Sequence, residues 1–206
     1  MSTAEVDSGT IAYESTGPAN GRPVVFVSGY WMGGQVWRQV SQPLAYLGLR
    51  CIAPTWPMGA HSQALRPGAD RTIYGVADGV AQFLAALDLN DVVLVGNDSG
   101  GLVSQLVAVH HSERLGGLVL TSCDAFEHFP PPILTPLILA AKTKTLFRTA
   151  IQAMRLPITR KRAYGALACD DIDHLARLEV IEGARTFSMM DQPQRLAELI
   201  SEIAGA

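Results

Sequence analysis

At residues 96–101 the chain reads Gly-Asn-Asp-Ser-Gly-Gly, a turn sequence with Asp98 near its centre. A run rich in Val and Leu, residues 91–95, precedes it, and an apolar helical pattern, residues 102–110, follows it. A sharp strand-to-helix turn needs small residues two positions before and two after its central residue, because the two backbones crowd together. Gly96 and Gly100 have that spacing about Asp98. The pattern therefore predicts that Asp98 projects above the carboxyl end of a sheet, where open α/β sheets bind ligands.

Two other interpretations of this turn remain open. Asp98 is also a suitable residue for capping a helix N-terminus, where partial positive charge favours a carboxylate. Ser99 is a second candidate for the central residue, but the position two before it is then Asn97, which is not small. In the interpretation that centres on Asp98, Asn97 is a turn residue that tolerates unusual dihedral angles.

Strand and helix patterns alternate along the chain. The predicted strands are residues 11–14 (after a turn at 7–9), 23–27, 49–53 (closed by Pro54), 91–95, 118–122 and 178–182. The predicted helices are residues 35–46, 73–87, 102–110 and 194–203. This alternation is typical of an α/β fold, and it predicts a doubly wound, mostly parallel sheet.

The character of the chain changes after Asp124. Three prolines interrupt it at residues 130–132, and residues 128–169 contain Lys and Arg but no acidic residue. We interpret residues 125–169 as a short helical cap, and residues 1–124 and 170–206 as the core domain. The basic side chains of the cap either attract an anionic substrate or form a solvated helix face, which is the commoner role of such charge runs.

Composition limits the classes of function. The chain has 206 residues, of which 48% are hydrophobic and 17% are charged, and its net charge is −3. This balance gives no electrostatic reason to expect nucleic acid or a membrane surface as a partner. The three cysteines are widely spaced, which favours buried thiols in a reducing compartment, and the first ten residues lack a secretory pattern. We therefore expect a cytoplasmic protein.

Residues 23–124 resemble the α/β-hydrolases, most closely the branch with an aspartate nucleophile that includes haloalkane dehalogenases and epoxide hydrolases. Beyond the turn at Asp98, the likeness rests on several short stretches. These are Ser28-Gly29-Tyr30-Trp31 with Trp37-Arg38, the loop at residues 53–61, Ser112-Glu113-Arg114-Leu115, and the late segments 183–187 and 191–193. The resemblance implies that the chain is a hydrolase without a metal or organic cofactor.

The resemblance also implies a role for each site residue. Asp98 would attack carbon and form an ester, and the backbone amides of Ser99 and Tyr30 would hold the developing oxyanion. Asp124 lies where some dehalogenases place the carboxylate that orients the catalytic histidine, or else it is a turn residue that caps a cap helix. Trp31 is a candidate indole donor for a leaving group.

Several positions depart from the family pattern. The position of the catalytic histidine is Thr186, and a late strand with its Asp-containing loop has no counterpart, so the chain looks shortened there. None of the five histidines is assigned as the base; they are His61, His110, His111, His128 and His174. Dehalogenases often have Trp where this chain has Ser99 and Asn where it has Tyr30.

Two functions are consistent with this sequence. One is hydrolysis of a small apolar electrophile (an ester, epoxide, lactone or alkyl halide) through Asp98. The other is binding of a small ligand by a non-catalytic or degenerate relative. This alternative is considered because Thr186 stands at the position of the catalytic histidine. If the late strand is missing, the sheet edge left exposed would invite pairing with a second copy, so a homodimer is a candidate assembly.

Overall fold

The structure is a computed structural model that describes residues 1–123, 135–143, 145–146, 148–149 and 188–206. The chain divides into two compact units, Met1–Cys123 with Glu179–Ala206, and Asp124–Leu178. The described part of the second unit includes helix α4 (Thr135–Ala141). The predicted strand at residues 178–182 lies outside the described residues, as does most of the predicted cap.

The described residues of the first unit form a six-stranded sheet in the order β1-β2-β4-β3-β5-β6. The strands are β1 (Ser2–Val6), β2 (Gly9–Thr16), β3 (Pro23–Val27), β4 (Arg50–Thr55), β5 (Val92–Asn97) and β6 (Leu115–Thr121). The β1/β2 hairpin and the β2/β4 pair are antiparallel, whereas β4, β3, β5 and β6 are parallel. The predicted α/β fold with a mostly parallel sheet is therefore confirmed.

Helices cover both faces of this sheet. The helices of the first unit are α1 (Arg38–Tyr46), α2 (Ile73–Ala86), α3 (Ser99–His110), α5 (Ser188–Asp191) and α6 (Pro193–Ala204), and a 3-10 turn (Gly34–Trp37) leads into α1. Alternate residues of β5 belong to different cores: Val92 and Leu94 pack with α2 and α3, and Val93 and Val95 pack with α1 and α6. A strand buried on both faces is expected to be apolar throughout, which explains the uninterrupted Val and Leu run.

The ends of several predicted elements differ from the structure, those of β4 and α3 among them. Strand β4 does not close at Pro54 but continues to Thr55, and Pro54 pairs with Tyr13 of β2. Strand β3 pairs only with residues 50–52 of β4, so β4 has one neighbour at Pro54. Proline is tolerated in a strand that is unpaired on one side. Helix α3 begins at Ser99, three residues before the apolar pattern that predicted it.

None of the helices in the described ranges is long and apolar enough to cross a membrane. The sheet and its helices place the carboxyl ends of β3 and β5 side by side, because these strands are parallel neighbours. Residues 28–31 follow β3 and Asp98 follows β5, so the two stretches singled out in the sequence meet at one edge of the sheet.

Candidate active site

Asp98 is held in a backbone conformation that side-chain-bearing residues rarely adopt. Its φ is 55° and its ψ is −136°, close to the first central residue of a type II′ turn, a position dominated by Gly, Asn and Asp. Conformations of this kind cost on the order of 1–3 kcal/mol and cluster at functional sites. Asp98 is thus the central residue of the turn, and Ser99 is already the first residue of α3.

Asp98 is not an ordinary helix cap, although it precedes a helix. An ordinary N-cap has extended backbone and accepts from the amide two or three residues on. Thr72 does this at the start of α2, with φ −72°, ψ 165° and a 3.2 Å bond from Gly75 N. Asp98 has positive φ instead, and its Oδ1 accepts from the amide of the very next residue, Ser99. The capping interpretation therefore does not account for its geometry.

Glycines make this sharp turn sterically feasible. A Cβ on Gly100 would clash with the backbone carbonyl of Val27, and one on Gly96 would lie 2.5 Å from Ser104 Oγ. Gly29, in the loop after β3, lies against the side chain of Asp98, because a Cβ on Gly29 would be 2.5 Å from Asp98 Oδ1. The spacing rule identified Gly96 and Gly100, but the close approach of Gly29 to Asp98 was not predicted.

Strand β6 supports the turn from the other side. The Asp98 amide donates to Ser122 O at 3.2 Å. The amide group of Asn97 donates to the carbonyl and the hydroxyl oxygens of Thr121 at 3.0 and 2.9 Å. The interpretation of Asn97 as a turn residue is therefore wrong: it is the last residue of β5, fully buried, and the unusual dihedral angles belong to Asp98.

The Ser99 hydroxyl links the two stretches of the site. Its Oγ lies 2.9 Å from Asp98 Oδ1 and 3.0 Å from the Tyr30 amide, and Ser99 is only 4% exposed. The Tyr30 amide can only donate, so Oγ accepts from it and directs its single proton to Asp98. Both amides expected to form an oxyanion hole thus converge on the Asp98 and Ser99 side chains.

Two exposed aromatic side chains belong to the loop whose backbone bonds to the turn. Tyr30 and Trp31 are 40% and 56% exposed, and their ring centroids are 6.0 Å apart. The Trp31 amide donates to Met58 O at 2.8 Å, and its indole lies against Gly59, where a Cβ would be 2.6 Å from Cδ1. Partial burial raises the pKa of the Tyr30 phenol, which therefore stays neutral at physiological pH. The pair offers an exposed aromatic surface in the loop after β3.

A sequence model of the alpha/beta hydrolase fold family matches residues 22–155 of this chain. The chain belongs to that family. Residues 28–31, the turn at Asp98 and the helix α3 that follows it all lie within the matched region. Among the described residues of this alpha/beta hydrolase, no group of three or more His, Cys, Asp or Glu side chains is arranged to hold a metal ion.

Known members of the family include enzymes of several kinds. The chain is 34% identical over 117 residues to the non-heme chloroperoxidase CPO-A1 of Kitasatospora aureofaciens, a match to 56% of this chain and 41% of that protein. It is 32% identical over 109 residues to a haloalkane dehalogenase of Mesorhizobium japonicum, a match to 53% of this chain and 34% of that enzyme. The chain thus spans less than half the length of each of these curated relatives.

A solved structure is similar to this one in fold. It is that of a protein described for recognition and ring-cleavage of the Pseudomonas quinolone signal. The TM-score is 0.72 and the coverage is 100% of both chains, but the sequences are only 13% identical. At that identity the likeness establishes the fold and leaves the chemistry to the residues of the site.

Of the predicted site residues, the structure brings together Asp98, Ser99 and Tyr30, with Trp31 beside Tyr30. Asp124, Thr186, His128 and His174 lie outside the described residues. The described histidines have other partners: His111 Nε2 lies 2.7 Å from Asp78 Oδ1, the His61 ring accepts from Gly59 N at 3.3 Å, and the His110 ring is near Tyr74. The structure therefore gives no described histidine a bond to Asp98.

Two surface cavities in the described part of the chain do not include Asp98, Ser99 or Tyr30 in their linings. One, of about 320 Å³, lies between the β1/β2 turn and α2. The other, of about 230 Å³, lies near the start of the chain and includes Thr55 and His61. The candidate active site is thus defined by side-chain chemistry and backbone geometry and not by either of these cavities.

We expect the thiol of Cys51 to resist alkylation in the folded protein. Cys51 lies in β4, and burial raises its pKa to about 12. The thiolate is the reactive form, so a raised pKa leaves the thiol protonated and inert at neutral and mildly alkaline pH. Peptide mass mapping after iodoacetamide treatment should find Cys51 unmodified in native protein and alkylated in urea-unfolded protein. Rapid labelling of native Cys51 would contradict this.

Proposed function

We propose that the chain hydrolyses a small apolar electrophile (an ester, epoxide, lactone or alkyl halide) with Asp98 as the nucleophile. The observation that carries the proposal is the positive-φ conformation of Asp98 at the junction of β5 and α3. The turn projects the Asp98 carboxylate beyond the edge of the sheet. Its backbone conformation costs free energy, and an ordinary helix cap would not require that conformation. The dehalogenase among the relatives agrees with this chemistry but does not by itself assign it.

The two carboxylate oxygens of Asp98 have different surroundings. Within the described residues, both hydrogen bonds to the carboxylate come from Ser99, and both reach Oδ1. Oδ2 is then the oxygen that attacks. With an alkyl halide or epoxide, an Oδ2 electron pair forms the bond to carbon while the halide or the epoxide oxygen leaves with the bonding pair. The product is an ester of Asp98 whose carbonyl oxygen is Oδ1.

The surroundings of Asp98 suit an uncharged, fairly apolar substrate. The exposed rings of Tyr30 and Trp31 belong to the loop whose Tyr30 amide bonds to Ser99 Oγ. The pKa of the Tyr30 phenol is raised, so neither ring brings a negative charge. We include Tyr30 and Trp31 in the proposed binding surface, with the Trp31 indole N–H as a candidate donor to a leaving halide or oxygen. No metal or organic cofactor enters this mechanism.

Asp124 is the proposed orienting carboxylate. The described chain reaches Cys123, whose side chain abuts Gly101 so closely that a Cβ on the glycine would clash with it. Ser122, one residue earlier, accepts the Asp98 amide. Asp124 is therefore joined to a segment that contacts the turn, which supports the assignment. Its replacement by Asn is the direct test of whether it contributes to ester hydrolysis.

The proposal is tested by measuring product formation from a panel of activated esters, epoxides and haloalkanes, with the chain and its Asp98→Asn variant compared. Loss of turnover in the Asp98→Asn variant supports Asp98 as the nucleophile. Retention of turnover by the folded variant would refute that role.

The alternative is a non-catalytic relative that binds a small ligand. It is favoured by Thr186 at the position of the catalytic histidine and by the partners that the described histidines already have. It predicts that folded protein neither turns over nor becomes covalently modified at Asp98 by any member of the panel. If the protein forms the Asp98 ester but hydrolyses it slowly, the nucleophile is functional and the base that activates water is missing.

A further inference from the structure

We propose that the Ser99 hydroxyl is a side-chain oxyanion donor for hydrolysis of the Asp98 ester, an inference that rests on the proposed Asp98 mechanism. Backbone amides are the expected donors at such a turn. The hydroxyl adds a donor that the expected arrangement does not contain, because its proton points at Oδ1, 2.9 Å away.

The direction of the hydroxyl proton follows from its partners. The Tyr30 amide, 3.0 Å from Oγ, has a proton and no free electron pair, so it occupies an acceptor position of the oxygen. The Asp98 carboxylate has electron pairs and no proton, so it receives the O–H. A hydroxyl that accepts one hydrogen bond is polarised and donates more strongly. The hydrogen bond from Tyr30 N–H therefore strengthens the one that the Ser99 hydroxyl donates to Asp98 Oδ1.

Burial holds the hydroxyl in this position. Ser99 is 4% exposed, and it is the first residue of α3, whose backbone is fixed by the hydrogen bond from Gly101 N to Asp98 O at 2.9 Å. A donor that is already oriented costs little reorganisation when charge develops, which is why preorganised donors contribute strongly to rate. The hydroxyl meets that condition before any substrate binds.

The two covalent steps place opposite demands on this donor. When Oδ2 attacks carbon, negative charge leaves the carboxylate, so a donor to Oδ1 does not favour the transition state. When water attacks Cγ of the ester, the carbonyl electron pair moves onto Oδ1, and the donor stabilises that charge. Collapse re-forms the carbonyl and expels the alkoxide. One proton of the water ends on the alcohol and the other is released to solvent, which leaves the Asp98 carboxylate.

The inference predicts a split between the two steps in a Ser99→Ala variant. Ester formation should stay within about threefold of the unmodified chain, and ester decay should slow by about 100-fold, the usual effect of losing one oxyanion donor. Ser99→Thr retains the hydroxyl and should restore most of the decay rate. A packing defect would slow both steps alike, and equal slowing is not expected of Ser99→Ala.

The probe is n-butyl bromide, and the readout is intact protein mass with time. The ester is formed first, and the reagent is then removed by desalting. Decay of the ester is followed at several pH values. Attack of hydroxide on the ester then reports on the Ser99 donor, whether or not a protein base assists. Thioethers formed on cysteine survive hydroxylamine, whereas the ester does not, and Asp98→Asn gives the background. Decay in Ser99→Ala at the rate of the unmodified chain, or equal slowing of both steps, would overturn the role of Ser99 alone. Absence of any hydroxylamine-labile adduct in protein that also releases no butanol would overturn the Asp98 mechanism as well.

Discussion

The Asp98→Asn variant should lose turnover by at least about 1,000-fold on any substrate of the panel, because the amide is not a competent nucleophile. The change replaces one oxygen by nitrogen and keeps the volume of the side chain. Asn also tolerates the backbone conformation at φ 55°, so the fold should be retained. Loss of activity in a variant with an unchanged melting temperature is therefore a chemical effect. The measurement is initial rate at saturating substrate beside thermal unfolding of the same sample.

Asp88→Asn is a matched control for this change. Asp88 also has positive φ, 49°, but its side chain is 89% exposed and pairs with Arg114 at 3.3 Å, away from the site. Exposed ion pairs contribute little, so activity should stay within about twofold of the unmodified chain. If Ser99 were the nucleophile, Asp98→Asn would retain measurable activity and Ser99→Ala would form no ester. That pair of results would contradict the assignment of Asp98.

The Gly100→Ala variant should be strongly destabilised, by about 3 kcal/mol, the upper part of the range for overpacking a filled site. The added methyl would meet the backbone carbonyls of Val27 and Ser28, which cannot move without shifting β3. Since Gly100 lies in the first turn of α3, any relief would also displace Asp98. Urea unfolding gives the free energy of unfolding, and a loss of activity should accompany the loss of stability.

Gly79→Ala is the control for Gly100→Ala, because both glycines lie inside helices. A Cβ on Gly79 would come no closer than 3.8 Å to Ser8 Oγ, so there is room for it. Alanine is the better helix former, and the variant should gain about 0.5–1 kcal/mol. If the two substitutions changed the free energy of unfolding equally, the close approach of β3 to α3 would not be what requires glycine at position 100.

Much of the fold followed from local pattern. Strand β3 and residues 92–95 of β5 are buried on both faces and are therefore apolar, and helix α2 carries its buried residues on one side. Element ends were less predictable, since they depend on neighbours. Pro54 remains in β4 only because β3 has already stopped pairing there, and α3 begins with Ser99, Gly100 and Gly101, which are poor helix formers.

The site was predictable to the extent that it depends on the backbone. Glycine spacing located Asp98, and parallel neighbours brought the loop at Tyr30 to the same edge. The hydroxyl bridge through Ser99 was not predicted, because it depends on one rotamer and on the close approach of Gly29. Asn97 was misassigned because Asn is common in turns, whereas here β6 offers its amide two buried acceptors, both on Thr121.

The most direct test of the Asp98 nucleophile is the mass of the peptide that contains Asp98 after reaction with n-butyl bromide in water labelled with the heavy oxygen isotope. Attack of Oδ2 on carbon, followed by attack of water on Cγ, must leave either a butyl ester or a heavy oxygen on Asp98. We predict one of these two marks on this peptide, and neither in Asp98→Asn. A peptide without either mark, whether butanol forms or not, would contradict the account.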